Sequence, residues 1–578
     1  MIFFWIIFGF TVISVDGVTV KTKFGILEGF DYETESGKLA EIFLGIPYAK
    51  PPVNNLRFEK PVPSNPWRGI LNATSFPKPC AVHDPVFAAD ASEDCLYFNL
   101  YRPKWKSRSP NGYPILVWIH GGGWMMGSSE YYGYTAISDN FIPEEIMVVS
   151  IQYRLGPWGF FSSGDSRLPG NFGLWDQVQA LKVINQIARD FGGDPNKVTL
   201  MGQSAGSASV SWLSLNSETD RLFQQAIELS GSVYVSWTRS NQVVQFSSKL
   251  AKDLGCNPAA ANLKQCLKKF NMKDIQKKTA GIGLFQQDIN FAYMNPRIDG
   301  KFLRGVNFDD SIKKAPKRPT LISVTSQDSL FWSYEQLGLM PAEKLYNLPD
   351  EEVQSYSRAK LVHFIRTHVA TRQKFGSRAK QAGNEIIAHY ADFRAPRNPN
   401  NLFYFTRFTQ LLSDLQFNLP AVREARLKTL AGYPVYFQVY SYEKPLEITE
   451  YPIHGTPHGA ELHPLFKTFV YAGFEETPED EQIRKILIQM FSTFIKTGIP
   501  STNQIRVPSG TKSRFPYINL NLKPRIMKNP FGIHYTFWEN MARKYFFDVS
   551  KGINLRPLPR VPAVRKPQEL TPFKQIVQ

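Results

Sequence analysis

Short, unbroken apolar runs bounded by Gly and Pro alternate along the chain with longer stretches whose apolar residues recur at helical spacing. Residues 114–119 read Pro-Ile-Leu-Val-Trp-Ile, and 146–151 read Ile-Met-Val-Val-Ser-Ile. Neither run alternates with polar positions, as a strand wetted on one face would, so both predict strands buried on both faces. Residues 198–201 and 321–324 are shorter runs of the same kind. Between the second and third runs, residues 176–189 set Val178, Leu181, Ile184, Ile187 and Ala188 on one helical face, and Gly192-Gly193 ends the pattern. Strand, helix, strand in that order argues for a parallel crossover, and so for helices covering a sheet.

The two ends of the chain depart from this pattern. The first fifteen residues are almost wholly apolar, too short a run to span a bilayer comfortably, and Val15-Asp16-Gly17 offers a cleavage site. A signal peptide over 1–17 is expected, although the usual basic start is missing and an uncleaved anchor is the alternative. Residues 18–548 then read as one large domain. Beyond it, Pro557, Pro559, Pro562, Pro567 and Pro572 are interleaved with Arg556, Arg560, Arg565 and Lys566, which predicts a flexible basic tail over 549–578. That tail holds no run long enough for a second membrane segment.

Charge and cysteines narrow the setting. There are 67 basic and 50 acidic residues, a formal net charge of +17. No segment concentrates Lys and Arg as a nucleic-acid module does, so the excess is read as solubility or adhesion to anionic surfaces, with no nucleic-acid partner. The four cysteines fall into two local pairs, Cys80 with Cys95 and Cys256 with Cys266. Short closures favour those pairings over the other two connectivities, in keeping with an oxidising, extracellular route; four buried free thiols is the competing reading. A bridge closing fifteen residues contributes about 3 kcal/mol in the chain-entropy view. Asn72-Ala73-Thr74 is a glycosylation sequon.

Chemistry enters at Gly202-Gln203-Ser204-Ala205-Gly206, directly after the run at 198–201. A Gly-x-Ser-x-Gly turn from strand into helix exposes a strained serine at the edge of a sheet, and its small flanks avoid collision. Ser204 is therefore the candidate nucleophile, with the Ala205 amide turned toward a developing oxyanion. His120-Gly121-Gly122-Gly123-Trp124 follows the run at 114–119 and suits an oxyanion loop, with the Gly122 and Gly123 amides as donors. A phosphate-binding loop is the rival, but the Lys-Ser/Thr pair that such a loop needs is absent.

Further blocks complete a pattern. Gly170-Asn171-Phe172-Gly173-Leu174-Trp175-Asp176-Gln177 and Phe191-Gly192-Gly193-Asp194-Pro195 precede the elbow, and Glu93-Asp94-Cys95-Leu96-Tyr97, Phe43-Leu44-Gly45-Ile46-Pro47-Tyr48-Ala49 and Tyr153-Arg154-Leu155-Gly156 lie upstream. Together they resemble the type B carboxylesterase and cholinesterase family from about Val18 to about Phe547. The resemblance implies an α/β-hydrolase fold, with a large, mostly parallel sheet flanked by helices, no cofactor, and a triad in the order Ser, acid, His. His458-Gly459-Ala460-Glu461-Leu462 is similar to the family's His-Gly-x-Glu-Leu segment, which implies His458 as the base. His454 and His463 lie nearby, but Gly455 and Pro457 prevent the helix that would align His454 with His458 as metal ligands, and no metal site is expected. The family's acid falls at Asp328, after the strand at 321–324, with Glu335 as the alternative. The resemblance also implies buried pairs Arg57–Glu93 and Arg154–Asp176, and a place for Trp237 in the acyl pocket or in the core.

Two departures bear on substrate. Gln203 stands where cholinesterases carry Glu, and the loop between Cys80 and Cys95 has no Trp to bind a quaternary ammonium. The sequence thus reads as a secreted serine hydrolase acting on small, uncharged, apolar esters, and not as an acetylcholinesterase. A catalytically dead adhesion or signalling protein of the same family is the alternative from another class, and a lipase or amidase the neighbouring one. Homo-oligomerisation is left open.

Overall fold

The computed structural model describes residues 17–555, apart from 86–87, 281–287, 305–306, 335–346, 445–453 and 469–474. The expected signal segment and most of the expected tail lie outside them. The described chain continues past 549 as packed structure. Val549 and Ser550 are buried, and strands β14 (Phe547–Asp548) and β15 (Ile553–Asn554) pair antiparallel.

A large sheet forms the centre. The strands β6 (Tyr113–Ile119) and β7 (Met147–Ile151) are buried at every position, the reason their sequences carry no alternation. With β8 (Gly193–Gln203), β9 (Gln225–Leu229), β10 (Thr320–Thr325), β11 (Val435–Tyr440) and β12 (Pro516–Leu520), they run parallel in the order β7-β6-β8-β9-β10-β11-β12. Antiparallel strands extend both ends: β1 (Val18–Thr22), β2 (Gly25–Glu33), β3 (Leu39–Pro47) and β5 (Tyr97–Pro103) beside β7, and β13 (Arg525–Lys528) beside β12. A short β4 (Ile70–Asn72) pairs with β2.

The crossover read from sequence is present, with one difference. Helix α1 (Phe172–Ile187) links β7 to β8, but β6 lies between those strands and pairs with both. The connection therefore reverses the winding direction at β6, and open α/β sheets place their clefts at such a reversal, beyond the carboxyl ends of the strands. Two buried bidentate pairs brace this region. Arg154, just past β7, holds Asp176 of α1 with contacts of 2.7 and 2.8 Å, and Arg57 holds Glu93 at 2.5 and 2.6 Å. Removing one partner of such a pair strands a charge in low dielectric, at about 3–5 kcal/mol. The disulfides join Cys80 to Cys95 and Cys256 to Cys266. Asn72 is exposed, its side-chain oxygen accepting from the Thr74 amide and hydroxyl at 3.0 and 2.6 Å.

Beyond β10 a helical lobe covers the site side of the sheet. It includes α4 (Asn401–Ser413), a π-helical turn at Asp414–Asn418 and α5 (Leu419–Leu430), and it has its own core around Phe405, Phe408 and Leu411. The helices α2 (Ala205–Ser214), α3 (Gln242–Asp253), α6 (Pro478–Thr497) and α7 (Gly532–Tyr545) complete the cover.

Candidate active site

The β8 strand ends at Gln203 and α2 begins at Ala205, leaving Ser204 alone in the turn with φ 59° and ψ −123°. A residue with a side chain held there costs on the order of 1–3 kcal/mol and persists only where its surroundings impose it. Here its amide donates to the Leu229 carbonyl at the end of β9, at 2.8 Å. A Cβ on Gly206 would collide with the Ile119 carbonyl, and one on Gly202 with the Gly206 backbone. Both glycines are thus required by the close passage of strand and helix.

The loop after β6 lies against this turn. A Cβ on Gly121 would sit 2.8 Å from the Gln203 carbonyl and 3.0 Å from the Ser204 Cβ. Gly122 and Gly123 have φ values of 101° and 61°, the left-handed region that favours glycine. Among the described residues, the amides of Gly122, Gly123 and Ala205 donate to no backbone carbonyl. Beside them His120 stacks on Tyr153 at 4.5 Å, and burial lowers its pKa to about 4, so the imidazole is neutral near neutral pH.

Asp328 and His458 come together from loops beyond β10 and β11. Nδ1 of His458 lies 2.7 Å from Asp328 Oδ1, with both side chains almost wholly buried. The other carboxylate oxygen accepts from the Thr325 amide at 3.0 Å and the Ser230 hydroxyl at 3.1 Å, so every visible partner fixes its plane. The backbone is tied as well: the His458 amide donates to the Asp328 carbonyl at 3.1 Å. A carboxylate at Nδ1 sets the proton on that nitrogen and leaves Nε2 as the acceptor.

What meets Nε2 was not foreseen. Gln203 Nε2 lies 2.9 Å from it, whereas no hydrogen bond joins Ser204 to His458 among the described residues. The reason is chemical: an amide carries N–H donors where the carboxylate of Glu has none, so it can satisfy the ring nitrogen directly. Ser204 itself stays 7% exposed, more open than Asp328 or His458. The sequence flagged Gln203 for its missing charge; the signal for this contact was its donor group, beside the nucleophile.

Glu461 belongs to the segment that carries His458. It is wholly buried, its Oε2 has no hydrogen-bond partner among the described residues, and burial first, then the charge of Asp328, pushes its carboxyl up to about 8. His454 is exposed, 3.3 Å from Glu443, and His463 is buried near the start of the next helix. Glu335, the alternative acid, lies outside the described residues. Among the described residues no group of three or more His, Cys, Asp or Glu side chains is placed to hold a metal ion.

Aromatic rings wall the histidine. Trp332 and Phe417 approach it with centroids at 4.6 and 4.8 Å; Phe291 stacks on Trp332 at 5.4 Å and on Trp237 at 5.1 Å. Trp237 therefore belongs to the core and to this wall at once, its indole N–H donating to the Gln416 carbonyl at 2.8 Å.

A strained serine between a parallel strand and a helix, opposite a glycine loop at the winding reversal, defines the class of α/β hydrolases. A family model described as "Carboxylesterase family" matches residues 16–538. "Gut esterase 1" of Caenorhabditis briggsae is 33% identical over 546 residues, covering 92% of this chain and 94% of the relative. "Liver carboxylesterase 1" of Oryctolagus cuniculus is 31% identical over 513 residues, covering 83% and 84%, and "Carboxylesterase 1E" of Mus musculus 30% over 518, covering 84% and 86%. The chain belongs to the carboxylesterase family. It has the α/β-hydrolase fold and is a carboxylic ester hydrolase, acting on small-molecule esters as a serine hydrolase. No helix among the described residues is long and apolar enough to cross a membrane.

Proposed function

We propose that Ser204 is the nucleophile of this ester hydrolase, with His458 as its general base and Asp328 as the acid that orients the imidazole. In the reaction His458 Nε2 takes the Ser204 proton as Oγ attacks the ester carbonyl, and the oxyanion meets the amides of Gly122, Gly123 and Ala205. The alcohol leaves with the proton held by Nε2. Water, activated by the same nitrogen, then hydrolyses the acyl-enzyme. Asp328 orients the imidazole and offsets the charge of the imidazolium. Gln203 holds Nε2 in the free protein, and the Ser204 hydroxyl replaces it in the reacting complex.

The observation that carries this reading is the buried, doubly anchored Asp328–His458 contact, whose Nε2 meets Gln203, the residue next to the strained serine. The aromatic wall and the absence of a carboxylate beside the nucleophile favour uncharged, apolar esters. The apolar first fifteen residues, two disulfides and the exposed sequon at Asn72 support secretion of a glycosylated protein.

Labelling of the full chain with a fluorophosphonate, recovered from the medium of secreting cells and mapped by peptide, tests the reading. A single adduct on Ser204 is expected. An active protein whose adduct lies elsewhere, or that takes none, overturns it.

A further inference from the structure

Unpartnered buried polar atoms also gather outside the site described above. A cavity of about 610 Å³ opens between the amino end of α3, the segment around Arg297, Lys374, and the turn at Lys551 between β14 and β15. Three polar atoms of its lining residues are buried with no hydrogen-bond partner among the described residues: Ser236 Oγ, Arg239 Nη2 and Arg297 Nε. A buried donor left unpaired loses its hydration without a replacement, the more so when charged, so several around one cavity point to a missing acceptor.

The charges point the same way. Arg239, Arg297, Lys374 and Lys551 line the cavity against one carboxylate, Asp288, which Lys374 already approaches at 3.8 Å. Neither arginine has an ion-pair partner within 4 Å among the described residues. Lys551 lies 3.9 Å from Asp548, a carboxylate shared with Arg423 at 3.1 Å, and 5.2 Å from the centroid of the Tyr234 ring. Burial depresses the pKa of Arg239, Lys374 and Lys551, outweighing the carboxylates nearby: Asp548 and Asp309 for Arg239 and Lys551, and Asp288 for Lys374. Helix α3, twelve residues long, presents its amino end here through Asn241, Gln242 and Gln245; the Ser240 hydroxyl accepts from the Gln242 amide at 3.0 Å, and the Asn241 side chain makes no cap. A helix start adds partial positive charge and outward N–H groups.

We propose that this cavity binds a small molecule bearing a phosphate or sulfate group on a hydroxyl-rich body, the tetrahedral anion meeting Arg239 and Arg297 at the start of α3. Guanidinium groups match such an anion with paired N–H donors, and the side-chain amides of Gln245 and Gln373 on the walls suit hydroxyls. The volume exceeds what an inorganic anion fills and suits a sugar-sized body. The cavity also backs onto the wall of the esterase site, since Ser236 precedes Trp237 and Asn290 precedes Phe291.

The test is calorimetric titration of the full chain with four probes: inorganic phosphate, inorganic sulfate, glucose 6-phosphate and glucose 6-sulfate. Glucose and sodium chloride at matched ionic strength are the controls. Saturable binding of at least one sugar ester is expected, tighter than its inorganic anion, and the tighter ester tells phosphate from sulfate. Arg239→Met and Arg297→Gln should each weaken it roughly 10-fold or more. Without ligand, Arg239→Met should melt no lower than the wild type, because it removes a buried cation whose desolvation outweighs its nearby charges. Arg297→Gln carries the test alone if Arg239→Met does not fold. Absence of saturable binding, binding matched by sodium chloride, or binding that the variants retain in full overturns the proposal. These readouts do not depend on ester hydrolysis, so failure here leaves the role of Ser204 untouched.

Discussion

The His458–Asp328 contact sits beside the proposed nucleophile, and the His534–Asp414 contact sits on the helical lobe. In the first, His458 Nδ1 meets Asp328 at 2.7 Å, and the far nitrogen faces the elbow. In the second, on the helical lobe, His534 Nδ1 lies 3.3 Å from Asp414, whose carboxylate also accepts from Tyr390 at 2.7 Å and Gln410 at 2.8 Å. There the same Nδ1 is 3.0 Å from His389 Nε2, and His389 lies flat on Phe537 at 3.9 Å. Burial first, and then His534, hold the pKa of His389 down to about 4. The second contact has the carboxylate and the imidazole but no strained serine and no glycine loop within its set of partners. An Asp–His pair is thus an orienting device, and its chemistry depends on what the other ring nitrogen meets.

Six variants break or sharpen this comparison. The largest effect is expected from Ser204→Ala, which should lower kcat for p-nitrophenyl butyrate on the order of 10⁴- to 10⁶-fold with folding intact. Undiminished turnover would end the assignment. Next, Asp328→Asn should cost roughly 10⁴-fold in kcat by losing the correct tautomer. Asp414→Asn should leave kcat within about 3-fold while lowering unfolding free energy by about 1–3 kcal/mol through disturbed buried hydrogen bonds. Equal losses of activity in the two variants would erase the distinction drawn here.

A smaller effect is expected at Gln203→Glu. A carboxylate there favours the protonated imidazole, so the acidic limb of the kcat/KM profile should move up by about 1 pH unit. An unmoved limb would show that residue 203 does not meet Nε2 in the working enzyme.

The smallest effect concerns stability and has opposite signs in the two regions. Glu461, raised to about 8, stabilises the fold fully below its unfolded value, and that contribution is lost as pH rises through 8. His389, lowered to about 4, contributes stability above its unfolded value of 6.5 that is lost as pH falls toward 4. The melting temperature of Glu461→Gln relative to wild type should therefore rise between pH 5 and 8. That of His389→Phe should rise as pH falls from 7 to 4. Shifts of about 2 °C are expected for each; gaps that stay flat with pH would remove these groups from the account.

Sequence legibility followed the physics of each part. The strands at 114–119 and 146–151 are readable because burial on both faces leaves an apolar run with no alternation. The elbow is readable because Gly202 and Gly206 tolerate no Cβ, which makes them an obligatory signature. Asp328 and His458 are readable through the strand and the motif beside them. The helical lobe is not, since the π-helical turns at Ile365–Val369, Ala388–Asp392 and Asp414–Asn418 break the 3.6-residue period. The insertion of β6 between β7 and β8 leaves no local trace, because strand order is decided by contacts remote in sequence. The grip of Gln203 on His458 was also out of reach, as it joins residues 255 positions apart.

The parallel order of β6, β8, β9, β10 and β11 has a consequence for how the chain reaches its native state. The glycine loop, Ser204, Asp328 and His458 each follow a different one of these strands, and none touches the others until distant segments have paired. Non-local parallel pairing must bear its loop-closure entropy before any contact offsets it, and such pairing forms slowly. A half-assembled sheet with its strands and helices formed still holds no arrangement able to attack an ester. During refolding, return of hydrolysis should lag the return of secondary structure, and so turnover clocks the closing of the sheet's last strands.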